Sequence, residues 1–450
     1  MPTITQSTDN LKPEIARALI RSLTRGTAIP AGVRYIHVGH ANWLAAQDEL
    51  LDELKLDGHA DTKFVRGAYG AGKSHFLSVV QDHARDSGWM TCHVECKVDG
   101  VQIDRFETLY PQIAGKLTAS EFQPIVGGNQ SSNAVRILLD KWSVELLKKV
   151  GVRLDGLKRP FDAEDRAYLE LNRGLLRSNL PAEFSKALSV YVRATLADDL
   201  DVRTAITNWL QGFEGRTKLP EHYLYKPVLG TRRSSTLFEL KPISKGTARE
   251  VMRGLLWLIR EAGFVGLVLC IDEIEEIAKL GSRRRQDQAL QALRDFVDNA
   301  GSEVGFHHYC MFLAATPEMF ENESYFPRYD ALATRIQPVG DEINWRAPVI
   351  DLDRTPLQLP ELLQMALKIR QAHAVAYGSA TTESLTEAVL RRFVDEVHKS
   401  KFRIAKPRLL ARLLVDELER ARQSQKSYVP QDPLKAVQKT AEMITREVNA

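Results

Sequence analysis

The chain has 450 residues, of which 44% are hydrophobic and 26% charged, a balance that is ordinary for a soluble globular protein with a large core. Its formal net charge of +3 neither requires nor excludes a nucleic-acid partner. The longest apolar stretch, residues 264–271, is too short to span a membrane, and the first residues lack the apolar run of a secretory signal. We therefore expect a cytoplasmic protein whose four cysteines stay reduced.

The amino-terminal residues predict two helices and one strand. Residues 12–25 carry apolar side chains at helical spacing. Residues 33–38 (VRYIHV) predict a short strand or extended segment, and residues 42–54 return to helical periodicity. We therefore assign residues 1–62 to a mainly helical segment that precedes the first strand of a sheet.

The next residues predict a strand, a glycine loop, a helix and a second strand. Residues 62–66 form a β-type run, helical spacing resumes over 73–83, and residues 90–98 (MTCHVECKV) predict the second strand. This order is a βαβ unit, which is the building block of parallel sheets.

The remaining strands of the sheet follow a long helical stretch. Residues 101–244 carry amphipathic helical patterns and no convincing strand, so we predict a helical insertion. A strong helix over 247–262 comes next, and buried strands are predicted at 267–271, 309–315 and 349–352. Strands that alternate with helices predict an α/β fold whose parallel sheet is covered on both faces.

The pattern is helical after Pro360, and from residue 427 it predicts a polar, loosely held helix. The predicted organisation is an amino-terminal segment (1–62), a P-loop-type α/β core (63–100 and 245–350), a large helical insertion (101–244), a carboxy-terminal helical lid (351–425) and a tail (426–450).

The sequence GAYGAGKS at residues 67–74 fits the pattern G-x-x-x-x-G-K-[ST]. Such a loop turns tightly enough for its backbone N–H groups to surround a triphosphate, and the helix after it directs its positive end at the phosphates. Lys73 is predicted to reach the β- and γ-phosphates, and Ser74 to ligate Mg²⁺. The alternative is a glycine turn beside an ordinary lysine. The predicted ATP contacts are Gly67, Ala68, Tyr69, Gly70, Ala71, Gly72, Lys73, Ser74 and His75.

Two acidic residues follow the buried strand in LVLCIDEIEE (267–276). Ligands of open α/β sheets bind at the carboxyl ends of the strands, so we predict that Asp272 holds Mg²⁺. Glu273 is predicted to activate the attacking water as a general base. The alternative is a strand end with two solvated acids.

Four further residues are candidates for contacting the γ-phosphate. Thr316 ends the strand in MFLAATPE and is either a sensor of the phosphate or a helix N-cap, because Thr-Pro-Glu is also capping chemistry. Arg335 is the preferred arginine finger from a neighbouring copy, with Arg328 as the alternative. Arg408, in AKPRLLARLL, is predicted to reach the γ-phosphate from the lid. Each arginine has the alternative of an ordinary surface position.

Two basic clusters and one cysteine motif remain. Residues 399–412 hold six basic residues and no acid, and 283–285 form a second cluster. Either could face a phosphate backbone, although such runs are more often solvated faces. Cys92, His93 and Cys96 are not predicted to bind zinc, because strand alternation places His93 on the face opposite the two cysteines.

Four segments carry a resemblance to a known group: IRSLTRGTAIPAGVRYIHVG (20–39), GAYGAGKSHFL (67–77), GTAREVMRGLLWLIREAGFVGLVLCIDEIE (246–275) and AKPRLLARLLVDELE (405–419). With these segments in this order, the chain resembles the AAA+ class and its origin-recognition-like members. It is most similar to the BREX-system ATP-binding proteins (BrxD-like) of bacterial phage defence.

The resemblance implies an AAA+ fold, work on or near DNA, and helicase or methyltransferase partners from the same defence system. It also implies that residues 20–39 pack near the adenine. The 25 residues after the lid are too few for a winged-helix domain, so any DNA contact is expected to be indirect or non-specific.

The sequence thus leads to a Mg²⁺-dependent ATPase that acts as a conformational switch or motor and assembles with copies of itself in ATP. Two alternatives stay open: an ATP-binding scaffold with little hydrolysis, and a DNA-loading ATPase outside defence.

Overall fold

The computed structural model describes residues 11–25, 32–122, 134–149, 180–212, 216–224, 236–298, 305–336, 342–378, 385–402, 404–424 and 428–449. Over these ranges the protein is α/β, with a mostly parallel central sheet and many helices, as the sequence predicts. None of the helices in these ranges is long and apolar enough to cross a membrane.

The strands of the described residues are β1 Ala60–Arg66, β2 Met90–Glu95, β3 Thr217–Pro220, β4 Leu237–Leu240, β5 Leu267–Asp272, β6 Tyr309–Ala315 and β7 Val349–Asp351. Five of them form the central sheet in the order β2-β5-β6-β1-β7. Strand β1 pairs in parallel with β7, and β2 pairs in parallel with β5. Every residue of β5 and β6 is buried, which explains their uninterrupted apolar sequences.

The helices of the described residues are α1 Pro13–Arg25, α2 Val33–Ile36, α3 Ala41–Asp57, α4 Lys73–Asp86, α5 Phe106–Gly115, α6 Ala134–Lys149, α7 Ala182–Leu196, α8 Leu200–Leu210, α9 Ala248–Glu261, α10 Arg283–Asp298, α11 Pro317–Glu321, α12 Asp330–Ile336, α13 Leu359–Tyr377, α14 Glu387–Lys399, α15 Lys406–Ser424 and α16 Pro433–Asn449. The chain divides into two compact units. The first comprises Met1–Leu50, Lys63–His83 and Phe312–Ala450, and the second comprises Leu51–Thr62 and Ala84–Met311.

In the first unit, the carboxy-terminal helices α13 to α16 share one hydrophobic cluster with α1. Burying each leucine or isoleucine of such a cluster contributes about 1.5–3 kcal/mol. The residues after 427 were predicted to be loosely held, and this is wrong: Ala436, Val437, Ala441 and Ile444 of α16 are buried in the cluster. Helix α16 therefore packs with α13, α14 and α15 in one bundle, which we call the lid bundle after the predicted lid.

The predicted strand at residues 33–38 is also wrong, because the chain forms one helical turn there, α2. Val33 and Ile36 are both buried, and their spacing of three places them on one face of a helical turn. The turn starts after Gly32, whose φ of 82° is the left-handed conformation that glycine tolerates. Burial of these two side chains has outweighed the β-propensity of the segment.

In the second unit, helices α6 to α8 form the helical insertion around buried Trp142, Tyr191 and Trp209. The prediction that this insertion lacks strands is wrong, since β3 and β4 form a two-stranded antiparallel sheet. Both strands are only four residues long and carry no alternating pattern for the sequence to reveal. The sequence also predicts breaks in the helices of the insertion at residues 127–133 and near Pro160 and Pro181. The first two lie outside the described residues, whereas Pro181 stands directly before α7.

Candidate active site

The loop of residues 67–74 lies between β1 and α4, the context that its sequence predicts. Gly70 and Gly72 have φ values of 84° and 103°, which other residues rarely adopt. At Gly67 the reason for glycine is space: an added Cβ would lie 3.2 Å from the Ala71 Cβ and 3.3 Å from the Lys73 Cγ. The loop can therefore close tightly around the stem of Lys73.

The Lys73 side chain is folded back into the loop and is only 8% exposed. Its Nζ donates a hydrogen bond of 2.9 Å to the Gly67 carbonyl oxygen. The next N–H of the loop, that of Ala68, donates at 2.9 Å to Oδ2 of Asp353. Asp353 was not among the residues predicted from the sequence. The available signal was an Asp-x-Asp pattern, Asp351 and Asp353, that begins on the final residue of β7.

Arg408 lies against the same loop, at the start of α15. Its guanidinium carbon is 4.5 Å from the centre of the Tyr69 ring, within the range of a cation–π contact. An added Cβ at Gly70 would be only 3.0 Å from the Arg408 Cδ. Within the described residues, no carboxylate pairs with this guanidinium. As far as the described residues show, its charge is therefore held beside the loop without an acidic partner.

A group of histidines joins the loop to the lid bundle. Nδ1 of His37 lies 3.0 Å from Nε2 of His75, and Nε2 of His37 lies 3.1 Å from the Gly39 carbonyl oxygen. Because a carbonyl only accepts, His37 donates to Gly39 and accepts from His75. Lys368 of α13 donates to the His37 carbonyl at 2.7 Å. The predicted contact residue His75 is thus tied to residues 37–39, part of the segment for which the adenine role was expected.

Burial keeps these histidines neutral. It lowers the pKa of His37 to about 2, with the nearby His75 as the next cause. It also lowers the pKa of His75 to about 4, with His40 and Lys368 adding to the effect. The pKa of Lys368 is lowered by burial as well. The group contributes polar, uncharged ring nitrogens at neutral pH.

In the second unit, Asp272 and Glu273 stand at the carboxyl end of β5, as predicted. Asp272 is 2% exposed, and its Oδ1 accepts a hydrogen bond of 2.8 Å from the backbone N–H of Glu273. Glu273 has φ 59° and ψ 43°, a left-handed conformation that costs a residue with a Cβ about 1–2 kcal/mol. Burial, and after it the charge of Asp272, raises the pKa of the Glu273 carboxyl. A carboxylate with a raised pKa is a stronger proton acceptor.

Two residues of β2, Glu95 and His93, lie beside these carboxylates, and the sequence did not predict either of them there. Glu95 is the register partner of Asp272, and burial followed by the charges of Asp272 and Glu273 raises its pKa. His93 lies 3.9 Å from Asp272, between Nε2 and Oδ2. Only the pairing of β2 with β5 brings these side chains together, and strand order is not readable from the spacing of residues.

The remaining predicted residues have different outcomes. Thr316 follows β6 and occupies the N-cap position of α11, but its side chain makes no capping hydrogen bond. Arg328 is exposed at the end of a 3₁₀ turn. Arg335 lies in α12, and its side chain is outside the described part of the chain. The roles predicted for these residues therefore stay predictions.

In each basic cluster, one residue pairs with a neighbouring acid. Arg285 pairs with Asp104 at 3.1 Å and donates to Gln102 at 2.7 Å, so it holds a loop of the second unit. Arg283 and Arg284 are exposed. In the other cluster Lys399 pairs with Glu396.

The cysteines of the described structure are buried thiols without disulfides. The Sγ of Cys92 contacts the Ile113 carbonyl oxygen at 3.6 Å, and burial raises the pKa of this thiol and of Cys96. Neither group is therefore an activated nucleophile.

Comparison with known proteins supplies a family. The family described as BREX system ATP-binding protein BrxC/D matches residues 11–437 of the chain. No curated protein matches the chain.

Proposed function

The chain belongs to the BREX system ATP-binding protein BrxC/D family, and on that premise we propose that it is a Mg²⁺-dependent ATPase of the AAA+ type. Its cycle of ATP binding and hydrolysis would drive a conformational change in phage defence. It would work in the cytoplasm, on or near DNA, with helicase or methyltransferase components of the same system. In ATP it would assemble with further copies of itself.

The observation that carries this proposal is the cationic lining of the phosphate loop. Lys73 is folded into the loop, and Arg408 is stacked on Tyr69 with no carboxylate partner among the described residues. Two cations beside backbone N–H groups at a helix start form a site for a polyanion. The positive φ values of Gly70 and Gly72 give the loop the tight turn that a triphosphate requires.

The residues that would bind ATP are those of the loop, from Gly67 to His75. Backbone N–H groups and Lys73 would neutralise charge on the β- and γ-phosphates. Residues 37–39, through their contact with His75, would form part of the wall that faces the base. Arg408 would leave the Tyr69 ring for the γ-phosphate and would bring the start of α15 with it.

Ser74 and Asp272 would hold Mg²⁺, which neutralises phosphate charge and orients the γ-phosphate when it is bound. Asp272 fits a hard cation because it is a buried carboxylate oriented by a backbone hydrogen bond. Glu273 would accept a proton from the attacking water. Its strained backbone supports a role for the side chain, since strain of this kind concentrates at functional sites.

Two further residues complete the proposed reaction. The Thr316 hydroxyl, which makes no capping bond, would position the attacking water. Arg335 would stabilise the developing charge from a neighbouring copy, with Arg328 as the alternative. In this proposal the catalytic site is complete only when a neighbouring copy of the chain supplies its arginine.

The test is ATP turnover by the unaltered chain and by Glu273→Gln, with and without duplex DNA, together with particle size in ATP. We expect turnover to fall at least about 100-fold in Glu273→Gln while ATP binding is kept, because only the general base is removed. The variant should accumulate as an ATP-bound oligomer. Glu323→Gln, which removes an exposed acid that has no role in the proposed reaction, is the matched control.

A second candidate function is an ATP-binding scaffold. It is favoured by the long insertion, whose helices α6 to α8 bury Trp142 and Trp209 and would offer a surface for docking a partner. If the chain binds ATP but shows no turnover that depends on Glu273, with or without DNA, this second function replaces the first.

A further inference from the structure

The first peptide group of the phosphate loop, between Gly67 and Ala68, is held from both sides. Its carbonyl oxygen accepts from the Lys73 ammonium at 2.9 Å, and its N–H donates to the Asp353 carboxylate at 2.9 Å. A charged group therefore lies at each end of one peptide dipole, in the orientation that lowers the energy of both charges.

Asp353 is itself held in place by the neighbouring strand end. Its backbone N–H donates to Oδ1 of Asp351 at 3.0 Å, and Arg66 lies 3.4 Å from Oδ2 of Asp351. Arg66 and Asp351 are register partners in the parallel pair β1 and β7. An added Cβ at Gly67 would be 3.6 Å from the Leu352 Cβ, so the turn that carries Asp353 packs directly on the start of the loop.

We propose that Asp353 is a positioning residue for the phosphate loop, acting on Lys73 through the Gly67–Ala68 peptide group. This inference rests on the proposed function, in which the loop binds ATP. The carboxylate polarises the peptide, strengthens the hydrogen bond from Lys73 and fixes the direction of the Gly67 carbonyl. Lys73 is thereby kept inside the loop before nucleotide arrives, so that less ordering is needed when ATP binds. Asp353 does not itself contact phosphate in this proposal.

The experiment uses the full chain in four forms: unaltered, Asp353→Ala, Asp353→Asn and the control Glu323→Gln, which removes an equal charge elsewhere in the first unit. Calorimetric titration with Mg²⁺ and ATP gives the affinity. We expect Asp353→Ala to weaken ATP binding about tenfold, because a hydrogen bond to a charged group is lost. Asp353→Asn keeps an acceptor oxygen without the charge, so its loss should be about threefold.

A second arm needs no nucleotide and tests the coupling directly. Melting temperatures are measured for Asp353→Ala, Lys73→Ala and the double variant. If the two side chains act through one peptide group, removal of Asp353 lowers the melting temperature of the unaltered chain but not that of Lys73→Ala. Additive losses in the double variant would overturn the proposal.

The two arms separate this inference from the proposed function. Equal or tighter ATP binding by both Asp353 variants, with normal binding by the unaltered chain, would show that the carboxylate competes with phosphate and would overturn the inference alone. Failure of the unaltered chain to bind ATP would overturn the proposed function, and the melting experiment would still decide whether Asp353 positions Lys73.

Discussion

The phosphate loop and the end of β5 hold opposite charges. The loop collects cations, Lys73 and Arg408, whereas the strand end collects carboxylates, Asp272 and Glu273 together with Glu95 of β2. This difference supports the proposed function, in which the loop binds phosphate and the strand end holds a metal ion.

The two regions also differ in how they obtain an unusual backbone. The loop places glycine at positive φ, at Gly70 and Gly72, and so avoids strain. The strand end places a glutamate at φ 59° and bears the cost. A glycine at that position would relax the backbone and lose the carboxylate. The loop therefore uses glycine to obtain its backbone conformation without strain. The strand end keeps the Glu273 carboxylate at the cost of a strained backbone.

The largest expected effect comes from removing Arg408, for which the described residues show no carboxylate partner. Arg408→Ala should lower ATP turnover about 100-fold, because in the proposed function its charge stabilises the γ-phosphate during hydrolysis. Arg420→Ala, on the same helix but paired with Glu417, is the matched control. Steady-state kinetics check both variants. Unchanged turnover in Arg408→Ala would contradict the proposal that Arg408 takes part in ATP hydrolysis.

The shape of the loop is tested by Gly70→Ala. The new Cβ would lie 3.0 Å from the Arg408 Cδ, and the residue would be held at φ 84°. We expect a loss of about 1–2 kcal/mol in the free energy of unfolding from the backbone alone. ATP affinity should fall as well. Gly281→Ala is the control, since an added Cβ there meets no atom within 4 Å and φ is not positive. Chemical denaturation and ATP titration measure the two effects.

The smallest effect concerns the neutral histidines behind the loop. The folded pKa of His75, about 4, is below its ordinary value of 6.5, so on acidification the unfolded chain takes up a proton that the folded chain does not. The contribution of His75 to the free energy of unfolding is therefore complete above pH 6.5 and is lost as the pH falls. Between pH 7 and 5.5 the loss should be about 1 kcal/mol for this histidine.

Denaturation at both pH values checks this, with His75→Gln expected to flatten the dependence. If the free energy of unfolding depended more steeply on pH in His75→Gln, the His75 ring would be protonated in the folded protein. That result would contradict the conclusion that burial keeps His75 neutral.

Much of the fold could be predicted from the sequence because it depends on local patterns. The strands β5 and β6 are continuous apolar runs, and the phosphate loop has a defined spacing between a strand and a helix. The positions of Asp272 and Glu273 at a strand end followed from the same reasoning.

The parts that could not be predicted depend on pairing between distant segments. Asp353 reaches Ala68 only because β7 pairs with β1, and Glu95 reaches Asp272 only because β2 pairs with β5. The turn α2 was mistaken for a strand because burial of Val33 and Ile36 outweighs propensity. The contact of His37 with His75 joins residues 38 positions apart, and no spacing rule reveals it.

Helix α1 has a consequence for the synthesis of the chain. Its buried residues Leu19 and Ile20 share a cluster with α13 and α15, which begin at Leu359 and Lys406, more than 300 residues later in the chain. At ordinary rates of translation, α1 waits roughly 20–70 s for these partners. During that time its apolar face is exposed to chaperones and to other nascent chains. The shared hydrophobic cluster can form fully only after α13 to α16 have been made.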